Sequence, residues 1–195
     1  MNDKAVSASD LIQLLWPEVF QTEESARSHP AREAKRLGDS PPASAMRAVS
    51  VHAEKSLSTL RPLATERGHT PSLLGRAVGQ AFSVARSFSS DLLVSREKSY
   101  RATVLGIHHG VGVLALLEDA ATASGDQQLA DFCSAWLAER RVLCETAEEA
   151  LAWFAEHPAL AAGRAFGLRL PGHRAPDVIE GSGSGLGNDR RTTHA

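Results

Sequence analysis

Cysteine is scarce in this chain of 195 residues, which has only Cys133 and Cys144. Both fall on one expected helix, eleven residues apart. That is about 16 Å along a helix axis, too far for a disulfide between them. They read as small apolar core residues rather than metal ligands or nucleophiles. Aromatic residues make up 5% of the chain while Ala and Leu abound, a composition that favours helix over sheet. An excess of either charge is also missing. The formal net charge of −2 gives no push toward nucleic acid or a membrane surface. No run approaches the roughly 18 apolar residues of a membrane span, and the first residues lack a basic stretch followed by an apolar signal core. The expectation is a soluble cytoplasmic protein. No internal repeat is present.

The densest apolar pattern runs from Arg96 to Pro158 and reads as two long helices joined at Ser124-Gly125-Asp126. In the first, Tyr100, Val104, Ile107, Val111, Leu114 and Glu118 recur at spacings of four and three, a helical stripe. Leu105, Val113, Leu116 and Leu117 make the other faces apolar too, so this helix is expected to be the most buried. Gly106, Gly110 and Gly112 each cost about 1 kcal/mol against Ala in a helix, which suggests a neighbouring backbone nearby. In the second helix Leu129, Phe132, Trp136, Arg140, Leu143, Ala147, Ala150 and Phe154 share one stripe. Asp126 suits its N-cap, and His157-Pro158 ends it. Glu118 and Arg140 thus fall on inward stripes as expected buried polar residues that need partners, either each other or further groups.

The remaining chain divides into three expected regions. Residues 1–42 read as an arm, in which Ser9 or Asp10 caps a short amphipathic helix followed by a charged linker from Gln21. Leu11, Leu15, Trp16 and Phe20 on that helix must dock on something, either their own domain or a partner. Residues 43–158 read as the bundle. Its first helix runs to Arg67, with Met46, Val49, Ala53, Leu57, Leu60 and Ala64 inward and Pro62 predicting a kink or early break. A second helix starts at Thr70-Pro71. Residues 159–195, with the run Gly181 to Gly187, read as a mostly disordered tail rather than a phosphate loop, since no strand precedes it and no Gly-Lys-Ser/Thr closes it.

This order of helices, with a histidine in the third and a short turn before an amphipathic fourth, resembles the ferritin-like four-helix bundles and the small bacterial stress proteins built on them. The resemblance implies a di-metal centre made from a Glu on each of two helices and Glu-x-x-His on the other two. Here the one Glu-x-x-His is Glu66-Arg67-Gly68-His69, which straddles a helix-ending glycine, and Leu105 stands three residues before His108. His52, Glu54, His108 and Glu118 are the remaining candidate metal ligands, for iron or another divalent metal.

The fold class predicted is therefore an all-α, antiparallel up-and-down four-helix bundle with an N-terminal arm and a flexible C-terminal tail. Three functions are compatible with it. A non-catalytic bundle acting by protein binding or self-association, with no cofactor, is the leading one. A ferritin-like metal or redox protein with an atypical ligand set is the alternative. The third holds a small apolar ligand between its helices. A nucleophilic enzyme has little support, because no strand-to-helix elbow is present to present a Ser or Cys.

Overall fold

A computed structural model describes residues 7–69 and 95–164. The expected helix beginning at Thr70 and most of the expected tail lie outside these residues. The described residues are all-helical, with four long helices and two single-turn ones: α1 (Ala8–Leu37), α2 (Pro41–Glu66), α3 (Arg96–Ser124), α4 (Gln127–Glu149), α5 (Ala152–Glu156) and α6 (Pro158–Ala162).

Each long helix begins at a side-chain cap. Ser7 and Asp10 form a reciprocal capping box on α1, Ser40 caps α2 ahead of Pro41 and Pro42, Ser95 caps α3, and Asp126 caps α4. Those caps satisfy amide groups that the first turn leaves without helical acceptors. Gly38 ends α1 at φ +64° and Gly125 ends α3 at φ +78°, a region that residues with a Cβ rarely adopt.

The expected short arm helix and linker are replaced by one helix of 30 residues. The charged run from Gln21 stays helical because Glu23, Ala26, Pro30, Glu33 and Ala34 continue the buried stripe begun by Ile12, Trp16 and Val19. Pro17, Pro30 and Pro62 all sit inside helices without ending them. Pro17 and Pro62 are exposed, as are Gln13 and Ser58 four residues before each, so the carbonyls freed by the missing N–H groups face water.

α1 packs on α2 and α3, α3 packs on α4, and α4 packs on α2. Neighbours run antiparallel. Glu33 meets Ser99 while Glu18 meets His109 across α1 and α3, and His52 meets Arg140 while Arg67 meets Asp126 across α2 and α4. The apolar core has two parts. One gathers Trp16, Val19, Leu60, Leu114, Leu117 and Leu137, and the other gathers Met46, Val49, Tyr100, Ile107, Cys144 and Phe154.

The expected inner stripe of α2 is buried throughout, from Met46 to Ala64. α3 differs from its expectation as the most buried helix, because Leu105 is 72% exposed and Leu116 45%. It is also the one described helix with the length and composition to cross a membrane, with a mean hydropathy of 1.3 over its best window. One side of that helix packs against α1 and α4.

Candidate functional site

Between the two apolar clusters lies a buried polar layer. Glu23 follows Val19 on α1 by one helical turn, His52 lies between Val49 and Ser56 on α2, and Trp136 and Arg140 lie one turn apart on α4. The guanidinium of Arg140 is fully buried and Glu23 is 1% exposed. Arg140 Nη2 donates to Glu23 Oε2 at 2.9 Å, and its Nε donates to His52 Nδ1 at 3.0 Å. Trp136 Nε1 donates to the same Glu23 oxygen at 3.2 Å, and the guanidinium carbon stands 4.4 Å from the Trp136 ring centroid, a cation–π distance.

The donor at Nδ1 fixes the histidine tautomer. His52 must accept there, so its proton sits on Nε2, which faces Glu139 at 3.5 Å near the surface. Burial, then the adjacent Arg140 charge, pushes the His52 pKa down to about 4. Burial also pushes Glu23 up and Arg140 down, outweighing their mutual attraction in both cases. Glu23 Oε1 and Arg140 Nη1 are buried without a hydrogen-bond partner among the described residues. The layer therefore holds charges at a cost, and its groups are used on one another.

A second buried cluster joins α1 to α3. Ser99 Oγ donates to Glu33 Oε1, Arg36 Nη2 donates to Ser99 Oγ at 2.8 Å, and Arg36 pairs with Glu33. At the other end of the molecule Arg67 clamps α2 to the α3–α4 turn through both Asp126 oxygens, with Nη2 2.6 Å from Oδ1.

The sequence-predicted residues are dispersed. His52 is buried in the polar layer. Glu54 is exposed and faces Arg27 at 3.4 Å. His108 is exposed and bonds Glu148 at 2.9 Å. His52 thus meets α4 at residues 139–140 and His108 meets it at 148, about 12 Å further along the axis. Glu118 is a further ten residues along α3 from His108. These four candidate ligands do not converge, and the described residues contain no cluster of three or more metal-ligating side chains. His69 of the Glu-x-x-His stretch stacks on Trp16 and Phe20, with centroids 6.1 and 6.0 Å away.

Of the two expected buried polar residues, Arg140 is buried and Glu118 is only half-buried. Arg140 takes Glu23 as its carboxylate partner, not Glu118. Of the two docking sites open to the first helix, its own domain or a partner, the chain's own core takes Leu15 and Trp16, with Leu11 and Phe20 packed against it. Both cysteines are buried, and burial pushes the Cys133 thiol up to about 12 and raises that of Cys144, which removes the thiolate a nucleophile needs.

Glu23 and Glu33 were not identified as core groups, because a charged run resembles a solvated linker. The signal was their spacing: Val19, Glu23, Ala26, Pro30 and Glu33 keep the interval of three and four.

The outer side of α3 presents a different feature. Lys98, Ala102, Leu105, His109, Gly112, Leu116, Asp119 and Ala123 are all exposed, and their spacing alternates four and three without interruption. A Cβ added at Gly106 or Gly112 would meet nothing within 4 Å, whereas one at Gly110 would lie 3.4 Å from Thr22 Cβ. Among the described residues the close approach expected at all three glycines occurs only at Gly110, and there it is to a side chain.

Comparison of the chain with protein-family models, with curated proteins and with solved structures found no match.

Proposed function

We propose that this protein is a non-catalytic four-helix bundle that acts by protein binding through the outer side of α3. The closed sequence of antiparallel contacts, α1 to α2 to α4 to α3 and back to α1, supports a bundle in which α2 and α3 run in the same direction, unlike the up-and-down order expected. The carrying observation for binding is the exposed seam, in which Leu105 and Leu116 flank the open Gly112. Two large apolar side chains on an uninterrupted heptad spacing are what a helical partner engages.

The polar layer supports the non-catalytic reading. Its charges are paired with one another inside the packing between helices. A surface cleft among the described residues, lined by Ala31, Lys35, Gly38, Asp39, Arg47 and Val51, shares no residue with the layer. A site that performs general acid–base chemistry instead needs a titratable group within reach of a substrate proton.

A photoreactive phenylalanine analogue placed at position 105, with the same analogue at the exposed Ser58 as control, tests the reading in the producing cells. A covalent adduct with a polypeptide chain at 105 and none at 58 is expected. The absence of any such adduct at 105 would refute it.

A further inference from the structure

We propose that the partner of the α3 seam is a second copy of this chain, docked antiparallel about a two-fold axis near residues 110 and 111. The inference rests on the binding reading above and names its occupant. The seam is self-complementary only in that direction. With the axis at that point Leu105 faces the partner's Leu116, His109 faces the partner's Gly112, and Ala102 faces the partner's Asp119.

Three features of the seam lead to this pairing. The first is shape. The imidazole of His109 is the bulkiest group at the centre, and the position opposite it is Gly112, which has open space over its Cα. The second is charge. The start of α3 carries Arg96, Lys98 and Arg101 against one acid, Glu97, and its last third carries Glu118 and Asp119 with no base. Antiparallel docking sets Arg101, which pairs with Glu97 on its own helix, beside the partner's Asp119 as a second carboxylate. Parallel docking would stack Lys98 on Lys98 and Asp119 on Asp119, and like charges facing each other across a helix seam are unfavourable. The third is the backbone. Antiparallel helices place the positive N-terminal end of each dipole against the negative C-terminal end of the other.

Two-fold docking of this kind repeats each contact on both sides of the axis, as an isologous interface requires. The two leucines of each copy then make two leucine pairs across the axis. His109 keeps its Glu18 contact at 3.2 Å on the flank of α1, so α1 borders the same interface.

Disulfide trapping on the full chain gives the test, because Cys133 and Cys144 are buried and leave a low background. The variants are Leu105→Cys alone, Leu116→Cys alone, and an equal mixture of the two. Both positions are exposed on the single chain, so each variant is expected to keep the helical circular dichroism of wild type. In the antiparallel dimer, positions 105 and 116 of opposite copies are neighbours. Position 105 lies eleven residues from its own counterpart, about 16 Å along the axis and beyond disulfide reach. The expected result is at least a five-fold excess of cross-linked dimer in the mixture over either variant alone, with a sedimentation mass of two chains for wild type. Equal or greater cross-linking of Leu105→Cys alone would show parallel pairing and overturn the proposal.

A monomeric mass with no cross-linked dimer also overturns it, and the photoreactive residue at 105 then separates the two readings. An adduct with a different polypeptide leaves the binding function standing without self-association. An adduct confined to residues 70–94 of the same chain removes both, because the seam would be an internal packing face.

Discussion

Removing Arg140 should test the energetics of the polar layer most directly. Arg140→Met keeps an unbranched stem that can fill the inner part of the site and deletes the contacts to Glu23 at 2.9 Å and His52 at 3.0 Å, as well as the cation–π contact with Trp136. Glu23 is left 1% exposed with only the indole N–H of Trp136. Breaking one side of a buried ion pair costs about 3–5 kcal/mol, because the remaining charge has neither water nor a counter-ion. At about 2–4 °C per kcal/mol for a domain of this size, the melting temperature should fall by roughly 6–20 °C. Glu23→Leu should cost about as much. The double variant Glu23→Leu with Arg140→Met should recover most of the loss, since both desolvation penalties disappear together. Urea titrations followed by circular dichroism at 222 nm give the coupling energy from the four proteins. Single variants within about 1 kcal/mol of wild type, or a double variant equal to the sum of the singles, would refute the argument that the pair is buried and coupled.

Acid should weaken the fold through His52. Its folded pKa of about 4 lies below the ordinary 6.5, so the unfolded chain takes the proton first. The histidine's contribution is fully present above about pH 6.5 and is lost as pH falls toward 4, up to an order of 3 kcal/mol. Glu23, raised by burial, can titrate in the same descent with the opposite sign. The informative quantity is therefore wild type minus His52→Gln, whose amide oxygen accepts from Arg140 without titrating; equal pH slopes for the two would exclude the mechanism. Gly106→Ala should stabilise the protein by about 0.5–1 kcal/mol, since helix propensity improves and the added methyl meets nothing within 4 Å. Gly110→Ala should gain less, because Thr22 stands 3.4 Å away, and a larger gain at 110 than at 106 would contradict the packing described. Arg67→Ala should cost about 1–2 kcal/mol for the two charged hydrogen bonds to Asp126. Asp126→Ala should cost about 1 kcal/mol more, because Asp126 also caps Leu129; denaturant midpoints in the reverse order would disprove the double role.

Where apolar residues dominated one face of a helix, as on α2 and α4, the fold was legible in the sequence. The stripe of α2 from Met46 to Ala64 and that of α4 through Leu129, Trp136 and Arg140 are buried as read. The Gly125-Asp126 turn also reads directly, since it combines a left-handed cap with an N-cap aspartate. α1 was hidden because its second half places Glu23 and Glu33 at core positions, and a reading that weighs polarity before spacing takes them for solvent-facing groups. Their burial is intelligible only once Arg140, Trp136, Ser99 and Arg36 are seen opposite them. Pairings between residues 23 and 140 or 33 and 99 are set by tertiary packing, which no local pattern encodes. The seam of α3 was misread for a related reason. Apolar residues on every side suggested complete burial, whereas Leu105 and Leu116 mark a face that its own described neighbours leave open.

The polar layer raises a question that its cost sharpens, since Glu23 and Arg140 are both disfavoured by desolvation. A core of Leu, Ala and Val on four antiparallel helices can slide by a heptad and still bury apolar surface, because such side chains interchange with little penalty. A layer of Glu23, His52 and Arg140 between the two apolar clusters cannot slide in that way: any shift moves Arg140 against aliphatic groups and leaves its donors without acceptors. We infer that the layer fixes the axial register of α1, α2 and α4, as single polar core positions do in coiled coils. The triple variant Glu23→Leu, His52→Leu, Arg140→Met is then expected to keep its helical circular dichroism and a denaturation midpoint no lower than that of wild type. It should lose the dispersion of its methyl and indole NMR signals and bind a hydrophobic dye, as cores without a unique packing do. Sharp, well-dispersed spectra from a stable triple variant would mean that the apolar clusters alone choose the register, and the buried charges would need another reason to be there.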